Sequence, residues 1–140
     1  MQNRPILYVG GDDDDRYLVT DALADIGCNI QVVNFENGHE LIKYLQTTHE
    51  RPFYILCDLH LPQLSGLELK EMINSDDKLK RRSIPFIFLS DMVHPHDVEK
   101  AYMSLVQGFY VKSKTYEGLK KQLRAICEYW QEATLPDEPD

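Results

Sequence analysis

The sequence is short of the features that mark most specialised protein classes. Cysteine occurs three times, as Cys28, Cys57 and Cys127, an odd count with no CxxC and no metal-ligand spacing. That argues against a disulfide scaffold or a cysteine zinc site and reads as reduced thiols of a cytoplasmic protein. His94 and His96 lack a third convergent ligand in the sequence. No apolar run approaches the roughly 20 residues of a membrane span, and the start, Met1 to Pro5, lacks the long apolar stretch of a secretory signal. Basic residues are in deficit: 15 Lys and Arg against 23 Asp and Glu leave a net charge of −8. Such a chain is not drawn to nucleic acid or to an anionic membrane. The one dense basic run, Lys78, Lys80, Arg81 and Arg82, reads as a solvated loop. GxGxxG, Walker and GxSxG motifs are absent, and Gly10-Gly11 is too short to replace them, which argues against a small nucleotide-binding or hydrolytic enzyme.

What is present is an alternation. Ile6-Leu7-Tyr8-Val9 is a short apolar run that ends at two glycines. Leu18, Val19, Ala22, Leu23 and Ile26 share one helical face, with Gly27 just past its end. Residues 29–35 read as a strand, and Leu41, Ile42 and Leu45 as a short helix. Residues 53–57 form a buried strand that stops at Asp58, followed by a helix carrying Leu67, Leu69, Met72 and Ile73. A strand over 85–89 stops at Ser90, and Val98, Ala101, Tyr102 and Leu105 mark a fourth helix. Residues 108–111 make a fifth strand that stops at Lys112, and Tyr116, Leu119, Leu123, Ile126, Cys127 and Trp130 lie along a last helix. Tyr116 and Trp130 read as packing residues. Continuous apolar strands alternating with amphipathic helices predict an α/β fold, a doubly wound parallel sheet of five strands. One domain over 1–132 and a frayed acidic tail over 133–140 are expected.

In such a sheet, chemistry gathers beyond the carboxyl ends of the strands. Those ends carry Gly10, Gly11 and Asp12 to Asp15 after the first strand, Asp58 after the third, Ser90 and Asp91 after the fourth, and Lys112 after the fifth. A carboxylate can attack phosphorus and form an acyl phosphate. A lysine can pair with phosphoryl oxygens, a serine hydroxyl can donate to one of them, and a cation held by carboxylates and a carbonyl can offset the repulsion of two anions.

These residues carry a resemblance. Asp58, Pro62 and Gly66, within Asp58-Leu59-His60-Leu61-Pro62-Gln63-Leu64-Ser65-Gly66, resemble the phosphoacceptor motif of response regulator receiver domains of the chemotaxis-regulator type. Ser90 matches the family's hydroxyl residue, Lys112 its lysine and Phe109 its aromatic switch position. The resemblance spans about residues 5–130 and implies a flavodoxin-like sheet of strand order 2-1-3-4-5. It implies Asp58 as phosphoacceptor, fed by a histidine kinase or a histidine phosphotransfer protein. It also implies Mg²⁺ held by Asp58 and the backbone carbonyl of His60, and a switch through Ser90 and Phe109 that alters contacts with a downstream protein. The implied protein is a signalling switch and no enzyme beyond its own phosphorylation and dephosphorylation. With no room for an output domain it is expected to stand alone, and dimerisation through its fourth and fifth elements stays open.

Three positions depart from the family. Gly10 and Gly11 stand where receivers carry two adjacent acids. Two readings stay open: Asp12 or Asp13 swings back as a metal ligand, since glycines permit unusual backbone angles, or the aspartate run simply begins a helix, where the dipole favours acids. The dipole reading is preferred for Asp14 and Asp15. Ser113 replaces the proline that usually follows the lysine, and Asp91 replaces a small residue. Together these changes define the alternative, a pseudo-receiver that binds partners without phosphorylation.

Overall fold

A computed structural model of the chain describes residues 4–136. In chain order the elements are β1 (Ile6–Val9), α1 (Asp13–Asp25), β2 (Val32–Phe35), α2 (Gly38–Thr47), β3 (Tyr54–Cys57), α3 (Gly66–Ser75), α4 (Asp77–Arg81), β4 (Phe86–Ser90), α5 (Pro95–Met103), β5 (Gly108–Val111) and α6 (Tyr116–Glu132). The five strands form a single parallel sheet in the order β2-β1-β3-β4-β5. This is the expected flavodoxin-like arrangement, with helices on both faces.

Strand side chains alternate between the two faces, so each apolar run feeds two cores. Leu7, Val9, Ile55, Cys57, Phe86 and Phe88 pack on one face with Leu41, Leu45 and Leu69. Ile6, Tyr8, Tyr54, Leu56, Ile87 and Leu89 pack on the other against Val19 and Leu23 of α1 and Leu119, Leu123 and Ile126 of α6. Full burial of one such side chain contributes about 1.5–3 kcal/mol. Tyr116 and Trp130 join the second core as expected.

Three elements differ from expectation, the smallest difference being that α5 ends at Met103 and leaves Leu105 outside it, exposed and with a positive φ of 67°. The basic run is no loop: residues 77–81 form α4, because Asp76 caps it by accepting from Lys78 and Leu79 amides at 3.0 and 3.1 Å and Leu79 is buried beneath it. Arg82 extends the anchorage, donating to the carbonyls of Leu45 and Glu50 at 2.7 and 2.8 Å. β2 begins at Val32 and not at 29, because its single neighbour β1 offers its first partner there, Ile6 to Val32. Gly27 closes α1 with a positive φ of 79°. Of the expected tail over 133–140, Leu135 packs on the α1–α6 core, and 137–140 lie outside the described residues.

Candidate functional site

The parallel register carries the ends of β1, β3, β4 and β5 to one rim. Asp58 donates its amide to the Val9 carbonyl at 3.0 Å, and Lys112 donates its amide to the Ser90 carbonyl at 2.9 Å. Asp58, Ser90 and Lys112 are all buried, at 7%, 0% and 7% exposure, which is unusual enough for two charged groups to mark the place.

Asp58 and Ser90 meet directly. The Ser90 hydroxyl donates to Asp58 Oδ1 at 2.6 Å, and the same oxygen accepts the His60 amide at 3.1 Å. Ser90 Oγ in turn accepts the Leu59 amide at 3.3 Å. The loop after Asp58 is held tight by Gly66, whose amide donates to the Leu59 carbonyl at 2.9 Å. A Cβ at position 66 would stand 2.4 Å from the Asp58 carbonyl oxygen and 2.7 Å from the Phe88 ring. Close approach of backbone to backbone is what requires glycine there. The exposed His60 ring reaches across to the Met92 carbonyl at 3.1 Å and ties this loop to the one after β4. Phe109 is partly buried and tilts against Phe88, with ring centroids 5.5 Å apart. Asp91 lies exposed beside Ser90.

Lys112 arrives at the same rim with a different partner. Its ammonium lies 3.4 Å from Asp15 Oδ2 and makes no hydrogen bond among the described residues. Asp15 was expected only to favour the start of α1. Helical side chains lean toward the N-terminus, so a first-turn residue of α1 overhangs the rim. That geometry is the signal that could have singled out Asp15. The Lys112 backbone is clamped on both sides by Gln122 of α6, which accepts the Ser113 amide at 3.0 Å and donates to the Val111 carbonyl at 2.7 Å. A proline at 113 would have no N–H for this bond. The serine thus exchanges the ring's constraint for a hydrogen bond, with no cis peptide among the described residues.

The β1 end is where the rim is depleted, and the cause is space. Neither Gly10 nor Gly11 has a positive φ, so the expected unusual backbone angles are not what these glycines provide. A Cβ on Gly10 would meet the Tyr8 ring at 2.9 Å and its hydroxyl at 3.0 Å. A Cβ on Gly11 would meet Pro62 Cδ at 2.8 Å, beside the His60 carbonyl at 3.8 Å. Tyr8 and Pro62 occupy the room that two acidic side chains would need. The Tyr8 hydroxyl is fully buried and without a hydrogen-bond partner among the described residues. Burial, reinforced by the nearby Asp58 and Asp15 carboxylates, holds its pKa well above the ordinary phenol value, so it remains a proton donor.

The aspartates that follow are engaged elsewhere. Asp12 is the N-cap of α1, accepting the Asp14 amide at 2.8 Å, a placement at the helix start. Asp13 pairs with Arg16, whose guanidinium also donates to the Gly10 carbonyl. His94 caps α5, its ring accepting the His96 amide at 3.1 Å. Among the described residues no group of three His, Cys, Asp or Glu side chains is placed to hold a metal ion. Asp58 and the His60 carbonyl remain as oxygen donors, but the acid that would join them is missing. A hard cation such as Mg²⁺ prefers several oxygen ligands, so these residues do not fit a tight Mg²⁺ site.

An Asp–Ser pair and a buried lysine at the carboxyl rim of a 2-1-3-4-5 sheet define the class of receiver domains, and comparison with known proteins agrees. Residues 6–124 match the response regulator receiver domain family. The chain belongs to that family of two-component signalling proteins, in which a phosphoaspartate and Mg²⁺ are typical. It is 31% identical over 137 residues to the response regulator Rcp1 of Synechocystis sp., across 94% of this chain and 92% of Rcp1. The crystal structure of the phosphorylated cyanobacterial phytochrome response regulator RcpA superposes with a TM-score of 0.85 at 33% identity, covering 96% of this chain and 99% of RcpA. The Mn²⁺-bound form of Rcp1 superposes with a TM-score of 0.82 at 29% identity, covering 96% and 99%. No helix among the described residues is long and apolar enough to cross a membrane.

Proposed function

We propose that residues 1–132 act as a phosphorylatable receiver, with Asp58 as the acceptor. The observation that carries this reading is the buried Asp58–Ser90 pair, 2.6 Å apart, with Lys112 backbone-bonded to Ser90. Among the described residues both hydrogen bonds to the Asp58 side chain fall on Oδ1, which leaves Oδ2 as the attacking oxygen. Oδ2 forms the new bond to phosphorus, the P–N bond of a phosphohistidine on a kinase or a phosphotransfer protein breaks, and its imidazole leaves with that electron pair. Lys112 turns from Asp15 to the phosphoryl oxygens, a charge-assisted contact strengthened by its burial. Ser90 exchanges Asp58 Oδ1 for a phosphoryl oxygen, Phe109 repacks against Phe88, and the altered β4–β5 face engages a downstream protein. Mg²⁺ binds weakly in this reading, because Gly10 and Gly11 stand where the family carries its two adjacent acids.

The test is incubation with acetyl phosphate followed by intact mass measurement, at low and at high Mg²⁺. A phosphoryl increment in the wild type that is absent in Asp58→Asn supports the reading. The second reading, a pseudo-receiver working through phosphorylation-independent contacts, is favoured by the crowding of Gly10 and Gly11 by Tyr8 and Pro62. An unmodified wild type at high Mg²⁺, together with no response to beryllofluoride, selects it.

A further inference from the structure

At the opposite end of the sheet from Asp58, two of the three cysteines lie together. Cys28 sits in the turn after α1, its amide bonded to the Leu23 carbonyl at 3.0 Å, and Cys127 faces it from α6. Their sulfurs are 3.5 Å apart, and Tyr54 Oη lies 2.9 Å from Cys127 Sγ. Cys28 is half-buried and reachable from solvent, whereas Cys127 is buried behind it. The third thiol, Cys57, is fully buried in the other core, with its Sγ on the Asp58 carbonyl at 3.2 Å.

From this juxtaposition we propose that Cys28 and Cys127 are a peroxide-oxidisable pair that forms a reversible intramolecular disulfide. A disulfide bond is about 2.05 Å long, so the sulfurs need to close by about 1.5 Å, within the reach of side-chain rotation in a turn. The chemistry balances with hydrogen peroxide as the two-electron oxidant. The Cys28 thiolate attacks a peroxide oxygen, the O–O bond breaks, and with one proton taken up the products are Cys28 sulfenic acid and water. The Cys127 sulfur then attacks the Cys28 sulfur, the S–O bond breaks, and hydroxide leaves with the Cys127 proton as a second water. The net change is two thiols and one peroxide to one disulfide and two waters. Cys28 is the attacking member because the contact with Cys127 holds its thiol below the ordinary value, while that contact and burial raise Cys127. The product joins positions 99 residues apart and ties the end of α1 to α6. A crosslink over so long a stretch restricts the unfolded chain strongly.

The experiment treats the full chain with hydrogen peroxide, quenches with acid, unfolds it and alkylates with iodoacetamide. The reduced protein takes three labels. After peroxide it is expected to take one, on Cys57, with a Cys28–Cys127 linked peptide in the digest, a raised Tm, and all three labels restored by dithiothreitol. Cys28→Ser and Cys127→Ser each remove the link, and in Cys127→Ser the unpaired Cys28 proceeds to sulfinic acid. Three labels after peroxide, a bridge that involves Cys57, or sulfinic Cys28 in the wild type without the bridge would overturn the proposal. Because these readouts are on unfolded protein, a poorly folding variant leaves the wild-type result decisive.

Discussion

The two halves of the carboxyl rim differ in kind. The β3–β4–β5 half keeps a carboxylate, a hydroxyl and an ammonium, each buried and each placed by a neighbouring strand or by α6. The β1 half carries two glycines, with a tyrosine ring and a proline ring in the space above them. The difference teaches that the groups proposed to meet a phosphoryl group and the positions where the family carries its acids are separately placed. One set is anchored by the strand register and its backbone bonds. The other depends on side-chain volume at two positions, and volume there has been given to Tyr8 and Pro62. The charge of the missing acids is not restored by the aspartate run, because the helix cap, Arg16 and Lys112 hold Asp12, Asp13 and Asp15.

The largest effect is expected from adding one methyl group to each half. Gly66→Ala forces a Cβ to within 2.4 Å of the Asp58 carbonyl, a backbone atom that cannot swing away. It is expected to cost about 3 kcal/mol, the upper end of overpacking, in urea unfolding. Gly11→Ala puts its Cβ 2.8 Å from Pro62 Cδ with no other atom nearer than 3.7 Å, at the exposed mouth of the rim, and is expected to cost about 1 kcal/mol. Equal losses for the two substitutions would erase the distinction between a backbone-built half and a volume-filled half.

Next in size is Gly10→Asp, which restores an acid against the Tyr8 ring and is expected to destabilise by about 2 kcal/mol. Combined with Tyr8→Val, the loss should be smaller than the sum of the two single losses by about 1 kcal/mol or more, and Mg²⁺ should bind the double variant more tightly than the wild type. Urea unfolding and a Mg²⁺ titration read both. Strict additivity, or unchanged Mg²⁺ affinity, would mean that the tyrosine is not what keeps the acid out.

Ser90→Ala probes the intact half. It removes the donor to Asp58 Oδ1 and the acceptor of the Leu59 amide, both buried. A loss of about 1–2 kcal/mol is expected, with slower modification by acetyl phosphate. Full stability with slowed phosphorylation would make the hydroxyl purely functional; the reverse would make it purely structural.

The contrast between halves also tracks what was legible in the residues. The five strands, their order and the meeting of Asp58 and Ser90 follow from apolar runs that stop at polar residues, because strand ends in a parallel sheet share a rim. Partners set by tertiary volume were not legible. Strand alternation puts Tyr8 and position 10 on one face, but not the ring's direction over the glycine, and nothing local connects Gln122 with Ser113 nine residues before it. The helix dipole favours an acid at Asp15 whichever way its side chain leans, so the contact with Lys112 is invisible in the local sequence. In the basic run the charges mask Leu79, the one residue there with a core to enter.

The smallest expected effect concerns the clamp under Lys112. Gln122→Ala removes both the part-buried acceptor of the Ser113 amide and the exposed donor to the Val111 carbonyl. Solvent replaces the exposed bond cheaply and reaches the other in part, so a loss of about 1 kcal/mol is expected in stability. Modification by acetyl phosphate should fall further than that loss explains, because the Lys112 backbone would no longer be fixed on both sides. Ser113→Pro in the same background separates the two roles. Proline does not need the lost acceptor and stiffens the loop by itself, so it should recover part of the rate without restoring the Gln122 contacts. If Gln122→Ala leaves the rate untouched, the lysine is held by its strand and Asp15 alone, and the intact half of the rim depends on α6 for nothing but its core.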